Sequence, residues 1–245
     1  MKGIFVTGTD TGVGKSLITA GLTRLLRNKG MGCVATKPVE TGCKIKQGEL
    51  FPEDGYLLWR ASETMISLDN VTPFRFSFPA APYRSAAVQD SRLRVSDIVE
   101  HIKTVQDSHD LTIVEGAGGL FVPIEEKRTF LDLMAELNFP VVLVARTRLG
   151  TINHTLLSLE ALERRNLNIL AVILSKSEID EGPEEGFIAG DIKRLTDNIP
   201  ILRFPFLSQK MKDDPEEIAN IMDKLWGEEI FIQRILNQPN QVKND

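Results

Sequence analysis

The segment that most constrains this chain is a glycine-rich stretch near its start, Gly8-Thr9-Asp10-Thr11-Gly12-Val13-Gly14-Lys15-Ser16. It joins a short apolar run to a stretch with the apolar spacing of a helix, Lys15 to Lys29. A loop in this position turns backbone N–H groups toward phosphate oxygens, and its lysine and hydroxyl supply a charge and a Mg²⁺ ligand. A glycine-rich turn with an incidental lysine is the alternative. The residues predicted to bind nucleotide here are Asp10, Thr11, Gly12, Val13, Gly14, Lys15 and Ser16.

Short apolar runs alternate with amphipathic stretches along most of the chain. Continuous apolar runs separated by helical patterns favour a parallel sheet that is covered on both faces. The predicted strands are Gly3–Thr7, Cys33–Thr36, Leu111–Val114, Val141–Ala145 and Ile169–Leu174, and the predicted helices are Lys15–Lys29, Val95–Val105, Phe130–Leu137 and Ile152–Arg165. The sequence therefore predicts a single α/β domain over residues 1–236, a P-loop NTPase with a mostly parallel sheet and helices on both faces.

Three segments lie outside this alternation. Residues 39–94 are rich in proline, and we interpret them as a functional excursion with one helix near Asp54 to Thr64. Residues 215–236 have an amphipathic helical pattern, which favours core packing over a partner-binding surface. Residues 237–245 are polar, and we expect them to form a frayed tail.

Composition excludes several classes of protein. The net charge is −5, from 29 Lys+Arg and 34 Asp+Glu, which argues against a nucleic-acid binder. Two cysteines, Cys33 and Cys43, are too few for a disulfide scaffold or a four-cysteine zinc site. No run approaches the roughly 20 apolar residues of a membrane span, and the first apolar run is too short for a signal peptide. We therefore expect a soluble, cytoplasmic protein with no nucleic-acid or membrane partner.

Charged residues follow the predicted strands at the edge where ligands bind. Glu115 comes directly after Leu111–Val114, which makes it the first candidate for a metal ligand. Lys37 follows the second strand and would face phosphates or an acidic substrate, unless it is a solvated surface lysine. Asp54 is either a second metal ligand or the cap of the helix that follows it.

Together these motifs resemble the dethiobiotin synthetase family of biotin biosynthesis. The resemblance rests on the phosphate loop and on segments that follow it in order. These segments are Lys37-Pro38-Val39, Thr41-Gly42, Asp54, Glu115-Gly116-Ala117-Gly118-Gly119 and Leu149-Gly150-Thr151-Ile152-Asn153-His154. The family uses MgATP to join CO₂ to diaminopelargonic acid. The reaction passes through a carbamic–phosphoric anhydride, closes the ureido ring and releases ADP and phosphate.

The resemblance implies roles for particular residues of this chain. The implied catalytic residues are Lys15, Lys37 and Thr11, and the implied Mg²⁺ ligands are Ser16, Asp54 and Glu115. The implied nucleotide site adds Glu115, Gly118, Ser175, Lys176 and Pro205 to the phosphate loop. The implied substrate contacts are Thr11, Lys37, Thr41 and Gly118, together with Gly150, Thr151, Ile152 and Asn153 from the neighbouring subunit of a homodimer.

The chain departs from the family pattern on the purine side of the site. Ser175-Lys176-Ser177 stands where the family often has an asparagine that reads adenine. Arg203-Phe204-Pro205-Phe206-Leu207 replaces a glycine-x-x-proline-tryptophan-leucine-like segment. These changes predict loose base recognition, so that GTP or CTP competes with ATP.

Two other functions are compatible with a loop of this kind. A regulated nucleotide switch of the cell-division or DNA-partition type usually has a second lysine early in the loop, where this chain has Thr9, Asp10 and Thr11. An amidating ligase of cobalamin synthesis usually carries a glutamine-hydrolysing domain, for which we expect no room. The sequence therefore favours an ATP-dependent ligase that forms C–N bonds, with the nucleotide switch as the alternative.

Overall fold

The structure of the protein, a computed structural model, describes residues 2–63, 65–176 and 185–236. The predicted tail at 237–245 and Ser177 of the purine-side segment lie outside the described residues. The strands are β1 (Gly3–Gly8), β2 (Cys33–Thr36), β3 (Val39–Thr41), β4 (Lys44–Lys46), β5 (Glu49–Phe51), β6 (Phe74–Phe76), β7 (Leu111–Gly119), β8 (Val141–Arg146), β9 (Ile169–Ser175) and β10 (Ile201–Phe204). The helices are α1 (Lys15–Asn28), α2 (Glu53–Ala61), α3 (Leu68–Val71), α4 (Pro82–Val88), α5 (Val95–Asp107), α6 (Phe130–Leu137), α7 (Thr151–Glu163), α8 (Glu185–Arg194), α9 (Gln209–Lys212), α10 (Pro215–Trp226) and α11 (Ile230–Leu236).

A parallel sheet of order β10-β9-β8-β1-β7-β2 forms the centre of the described structure. This order places β1 between β7 and β8, so the loop after β1 opens beside the carboxyl end of β7. In open α/β sheets, ligands bind at the carboxyl edge where the strand order reverses. The phosphate loop therefore lies at the position where a sheet of this type forms a ligand site.

Helices cover both faces of the sheet, as the continuous apolar strands predict. On one face α1 and α10 pack together, with Ile18 and Met222 in the buried core. On the other face α5, α6 and α7 bury Ile98, Phe130 and Leu162 against the sheet. The predicted fold class, a mostly parallel sheet with helices on both faces, is confirmed.

The predicted strands and helices are confirmed, with differences at their ends. The strand predicted to end at Val114 continues to Gly119, because Glu115 keeps its pairing with Val6 of β1. Glu115 thus lies within β7, and the prediction that it comes after the strand is wrong. The amphipathic stretch at 215–236 forms two helices, because α10 ends at Trp226 and α11 begins four residues later.

Residues 39–94 place a short helix beside the phosphate loop. The hairpin β4–β5 and the pair β3–β6 lie outside the central sheet. Helix α2 packs against α1 and β2, where Leu58 and Ala61 join Ala20 and Ala35 in a small core. This packing directs the first turn of α2 toward the start of α1. Within the described ranges, no helix is long and apolar enough to cross a membrane.

Candidate functional site

The phosphate loop has the backbone that anion binding requires. Gly14, directly before α1, adopts a left-handed conformation with φ of 98°, which residues with a Cβ rarely adopt. A Cβ on Gly14 would also lie 2.6 Å from the Ser175 Oγ. The loop therefore needs glycine here for both its conformation and its packing, and it leaves the first N–H groups of α1 free to bind an anion.

Lys15 lies over this loop in a buried position. Its Nζ donates to the Asp10 carbonyl oxygen at 3.0 Å. Burial, assisted by the nearby charge of Lys37, lowers the pKa of Lys15 to about 8. A desolvated ammonium held at the mouth of the loop is suited to bind phosphate oxygens.

An ion pair between the loop and a residue outside it holds the first half of the loop in place. Arg146, at the end of β8, donates to the Asp10 Oδ2 at 2.6 Å, and the Asp10 Oδ1 accepts from the Thr11 N–H at 2.7 Å. Arg146 also donates to the Thr11 carbonyl oxygen at 3.4 Å. Asp10 thus serves to order the loop, and sequence reasoning gave Arg146 no role.

Lys37, Asp54, Glu115 and Ser16 form one cluster beside the loop. The Lys37 Nζ pairs with the Asp54 carboxylate and lies 2.9 Å from the Glu115 Oε1. The Ser16 hydroxyl donates to the same Glu115 oxygen at 2.8 Å. Lys37 and Glu115 are buried, whereas the Asp54 side chain is 46% exposed. The surface-lysine interpretation of Lys37 is therefore wrong.

The charges in the cluster shift one another's pKa. Burial by itself lowers the pKa of Lys37, but the carboxylates of Glu115, Asp54 and Glu40 outweigh it and raise the pKa above its ordinary value. Burial by itself raises the pKa of Asp54, and the Lys37 ammonium outweighs it, so the pKa lies below its ordinary value. Both groups therefore remain charged at neutral pH.

The cluster fits a Mg²⁺ ion. The buried Oε2 of Glu115 has no hydrogen-bond partner among the described residues, although a buried carboxylate oxygen needs one. The half-exposed Asp54 carboxylate and the Ser16 hydroxyl provide further oxygen atoms next to it. In the described part of the chain, no group of three or more His, Cys, Asp and Glu side chains forms a metal site. A small set of oxygen ligands suits Mg²⁺, which keeps water and substrate phosphates in its coordination sphere.

Asp54 does not cap its helix. The N-cap position of α2 is held by Pro52, whose side chain accepts no hydrogen bond. Asp54 lies in the first turn and directs its carboxylate to Lys37. The capping alternative from the sequence is therefore wrong, and the position of Asp54 fits the alternative of a ligand.

A cavity of about 1000 Å³ lies over the loop and the cluster. The hairpin β4–β5, the start of α2 and the segment before α4 form its other walls. The predicted site residues that line it are Thr11, Gly12, Gly14, Lys15, Ser16, Lys37, Thr41, Asp54, Glu115 and Gly118. The structure thus brings the implied catalytic and metal residues to one cavity, together with most of the loop; Asp10 and the buried Val13 do not line it.

The residues expected on the purine side are not on the cavity wall. Ser175 is buried against Gly14, and the Lys176 Nζ pairs with the Glu185 Oε2 at 2.6 Å. Pro205, just after β10, is exposed. The side chains of Ser175 and Lys176 therefore contact other groups of the protein and do not face the cavity.

The Gly150–Asn153 segment begins a helix, as predicted. Gly150 is the N-cap of α7, and Thr151, Ile152 and Asn153 form its first turn. None of the four lines the cavity of the same chain. The Thr151 N–H donates to the Arg148 carbonyl oxygen at 3.1 Å, and the first turn leaves the N–H groups of Ile152 and Asn153 without a partner within the helix.

Glu40 is a buried acidic residue that sequence reasoning left without a role. Its carboxylate accepts hydrogen bonds from the N–H groups of Asp54 and Gly55, at 3.1 and 2.9 Å. Burial raises the pKa of Glu40 to about 7, with Lys37 and the two N–H groups acting in the opposite direction. Two features of the sequence could have indicated this contact. Glu40 is an acidic residue in a short buried strand, and Pro52 stands at the N-cap position of α2, where a residue with a side-chain acceptor is usual.

Comparison with known sequences finds close relatives over most of the chain. A family described as an AAA domain matches residues 2–207. A protein of Thermodesulfovibrio yellowstonii named ATP-dependent dethiobiotin synthetase is 39% identical over 230 residues, which cover 89% of this chain and 94% of the relative. Its namesake in Bacillus licheniformis is 35% identical over 239 residues, 97% of each chain. One in Anaeromyxobacter dehalogenans is 39% identical over 206 residues, 84% of this chain and 91% of its own.

Comparison with solved structures supports the fold. A ParA family ATPase from Chlorobium tepidum aligns with a TM-score of 0.54 at 14% identity, covering 97% of this chain and 100% of its own. The MinC:MinD cell division complex of Aquifex aeolicus gives a TM-score of 0.54 at 13% identity, covering 97% of this chain and 96% of the matched one. At such identities the likeness concerns the arrangement of strands and helices alone.

Proposed function

The chain belongs to the family of ATP-dependent dethiobiotin synthetases, and from that premise we propose how its cavity performs the family's reaction. The protein is an ATP-dependent ligase that forms C–N bonds, with diaminopelargonic acid and CO₂ as the substrates to be joined. The observation that carries the proposal is the meeting of Lys15, Lys37, Asp54 and Glu115 in one cavity over the phosphate loop. This arrangement combines a nucleotide site with charges placed beside the γ-phosphate.

The reaction proceeds in three steps. One amine of the substrate adds to CO₂ and loses a proton, which gives a carbamate. A carbamate oxygen then attacks the γ-phosphorus of ATP, so that ADP leaves and a carbamic–phosphoric anhydride forms. The second amine attacks the carbonyl carbon, phosphate leaves and the ureido ring closes. Because no step needs a covalent bond to the protein, its residues act by positioning and by stabilising charge.

Lys15 and Lys37 stabilise the negative charge that develops during phosphoryl transfer. Lys15 exchanges its contact with the Asp10 carbonyl for the β- and γ-phosphates. Lys37 keeps its ammonium charged beside Asp54 and Glu115, on the wall of the same cavity. Thr11 and Thr41, on the cavity wall, contact the carbamate or the amine. Fixed charges in a buried site act more strongly than charges in water.

Ser16, Asp54 and Glu115 hold Mg²⁺, which neutralises charge on the β- and γ-phosphates when it is bound. Support comes from the Glu115 Oε2, which has no hydrogen-bond partner in the described part of the chain, and from the Ser16 hydroxyl, which donates to the other oxygen of the same carboxylate. The phosphate oxygens of the nucleotide also accept hydrogen bonds from the N–H groups of the loop. The further residues of the nucleotide site in this proposal are Asp10, Gly12, Val13, Gly14 and Gly118. Ser175, Lys176 and Pro205, which the resemblance also implies, lie off the cavity wall and form no part of the site proposed here.

The enzyme acts as a homodimer with shared sites. The start of α7 supports this proposal, because its Gly150–Asn153 segment does not line the cavity of its own chain. Exposed apolar residues flank the segment, with Leu149 85% and Leu157 56% exposed. In the dimer, the free N–H groups of α7 bind the distal carboxylate of the substrate held by the partner subunit. Gly118, on the cavity wall, approaches the same substrate.

Residues 1–236 serve as one catalytic domain, and the reaction takes place in the cytoplasm. The single domain is supported by the two hydrophobic cores, which cover opposite faces of one sheet. The cytoplasmic location rests on the family's reaction, whose substrates are small molecules. No nucleic-acid partner is part of the proposal.

The decisive experiment mixes the purified protein with diaminopelargonic acid, bicarbonate and MgATP. Phosphate release is followed, and mass spectrometry looks for a product heavier by one carbonyl and lighter by two hydrogens. We expect phosphate release that depends on the diamine, together with this product. Hydrolysis that proceeds equally well without the diamine, with no such product, would contradict the proposal and favour a nucleotide switch.

A further inference from the structure

Glu40 links the two segments that carry the charged cluster. It lies in β3, three residues after Lys37, and is 7% exposed. Its Oε1 accepts from the Asp54 N–H at 3.1 Å, and its Oε2 accepts from the Gly55 N–H at 2.9 Å. Both donors belong to the first turn of α2. One buried carboxylate thus binds the backbone of the residue whose side chain pairs with Lys37.

Helix α2 has no local substitute for this interaction. The first N–H groups of a helix have no partner within the helix, and a Ser, Thr, Asp or Asn at the N-cap usually accepts from one of them. Here the N-cap is Pro52, which provides no side-chain acceptor. A carboxylate at this end also interacts favourably with the helix dipole. The cap of α2 therefore comes from another element, the strand β3.

The surroundings fix the helix start closely. A Cβ on Gly55 would lie 2.1 Å from the Thr72 Oγ1 and 3.2 Å from the Pro52 Cβ, so the backbone approaches its neighbours as only glycine allows. The backbone of Glu40 is held as well, since the Cys43 Sγ donates to its carbonyl oxygen at 3.6 Å. Both ends of the Glu40–α2 contact are thus tightly placed.

We propose that Glu40 is a positioning residue, whose carboxylate fixes the Asp54 backbone and thereby the place of the Asp54 carboxylate that binds the Mg²⁺ of the nucleotide. The inference rests on the proposed function, since it assumes that Asp54 is a metal ligand. Outer residues that orient metal ligands commonly change metal affinity by about 10- to 100-fold when they are replaced. Glu40 acts through Asp54 and does not contact the reacting atoms.

The test measures Mg²⁺-dependent nucleotide binding without turnover. Calorimetry follows the binding of adenylyl imidodiphosphate to the intact protein at increasing Mg²⁺ concentrations and in EDTA. In Glu40→Gln the amide NH₂ replaces one accepting oxygen, so one of the two N–H groups loses its acceptor. We expect the Mg²⁺ concentration for half-maximal binding to rise about 10-fold, with the affinity in EDTA unchanged.

The chain offers a matched control in Glu125. This carboxylate also reaches a distant helix, and its Oε1 accepts from the Val95 N–H at the start of α5 at 2.5 Å. The N-cap residue of α5, Arg94, accepts no hydrogen bond with its side chain, and α5 carries no residue of the proposed site. We expect Glu125→Gln to lower the melting temperature without moving the Mg²⁺ dependence.

An unchanged Mg²⁺ dependence in folded Glu40→Gln would overturn the proposal. If Glu40→Gln does not fold, Glu40→Asp is measured in the same way, because it keeps the charge and shortens the reach. Failure of both to fold would also overturn the proposal, since Glu40 would then be a purely structural residue. The wild-type protein serves as a control that separates the two claims. If it binds adenylyl imidodiphosphate with Mg²⁺ but makes no dethiobiotin, the proposed function is refuted, whereas the effect of Glu40 on Mg²⁺-dependent binding can still be measured.

Discussion

The Lys37 ammonium and the Glu115 carboxylate form a buried ion pair, with 2.9 Å between Nζ and Oε1. Their partners are unequal. Lys37 also pairs with Asp54, whereas the second oxygen of Glu115 has no partner among the described residues. Removing one member of this pair therefore has a different consequence from removing the other.

Lys37→Met should destabilise the protein more than Glu115→Gln. Loss of Lys37 leaves a charged carboxylate buried without its cation, which costs about 3–5 kcal/mol in comparable cases. Loss of the Glu115 charge leaves Lys37 paired with Asp54, so we expect a smaller decrease in the free energy of unfolding. Urea unfolding of both variants and of the double variant measures the difference. The double variant should regain part of the loss; equal losses in the two single variants would contradict the argument.

Lys15→Ala should lower the rate of dethiobiotin formation by about 10²- to 10³-fold, because it removes a fixed charge from the transferred phosphoryl group. Among the described residues, the Lys15 side chain forms a single hydrogen bond, to the Asp10 carbonyl. We therefore expect the circular dichroism spectrum and the melting temperature to remain close to those of the wild type. Turnover at the wild-type rate by a folded variant would remove Lys15 from the mechanism.

Glu115→Gln should raise the Mg²⁺ concentration needed for half-maximal activity by about 10-fold or more, because it replaces an anionic ligand with a neutral one. A titration of initial rates against Mg²⁺ at fixed ATP measures the change. Glu53→Gln is the control: Glu53 also lines the cavity, but its carboxylate pairs with Lys44 and Lys46. Identical magnesium curves for the two variants would assign Glu115 a structural role.

Asn153→Glu should raise the KM for diaminopelargonic acid while leaving the KM for ATP unchanged. The residue is exposed in the first turn of α7, so a glutamate there is compatible with the helix but repels the substrate carboxylate. Asn153→Gln is the uncharged control. Mixing Asn153→Glu with Lys15→Ala adds a test of site sharing, because a mixed dimer contains one site with both wild-type residues. Absence of any recovery in mixed dimers would argue against shared sites.

GTP and CTP should support ring closure, with less than about 100-fold discrimination against them. Strong selection for a base needs a site that forms hydrogen bonds with it, and Ser175 is instead buried against Gly14 while Lys176 pairs with Glu185. Initial rates with ATP, GTP, CTP and UTP at equal concentrations measure the preference. A strict requirement for ATP would count against this prediction.

The sequence predicts those parts of the site that follow from strand order. Lys37 and Glu115 come at the carboxyl ends of apolar runs, and such ends meet at one edge of a parallel sheet. The contacts that no periodicity encodes could not be predicted. Arg146 reaches Asp10 across 136 positions of sequence separation, and Glu40 caps a helix whose N-cap is a proline. These contacts depend on where loops are placed in three dimensions, and a local pattern of apolar residues carries no information about that.

The position of β1 in the sheet affects how the chain folds while it is being synthesised. Its two neighbours in the sheet are β7 and β8, which are synthesised more than a hundred positions after it. Contacts so distant in sequence slow folding, and unpaired apolar strands promote association between chains. The newborn chain therefore carries β1, a strand that is wholly buried in the folded protein, unpaired until β7 has been made. Because β1 carries the phosphate loop, this loop cannot reach its final position until β7 and β8 have been made.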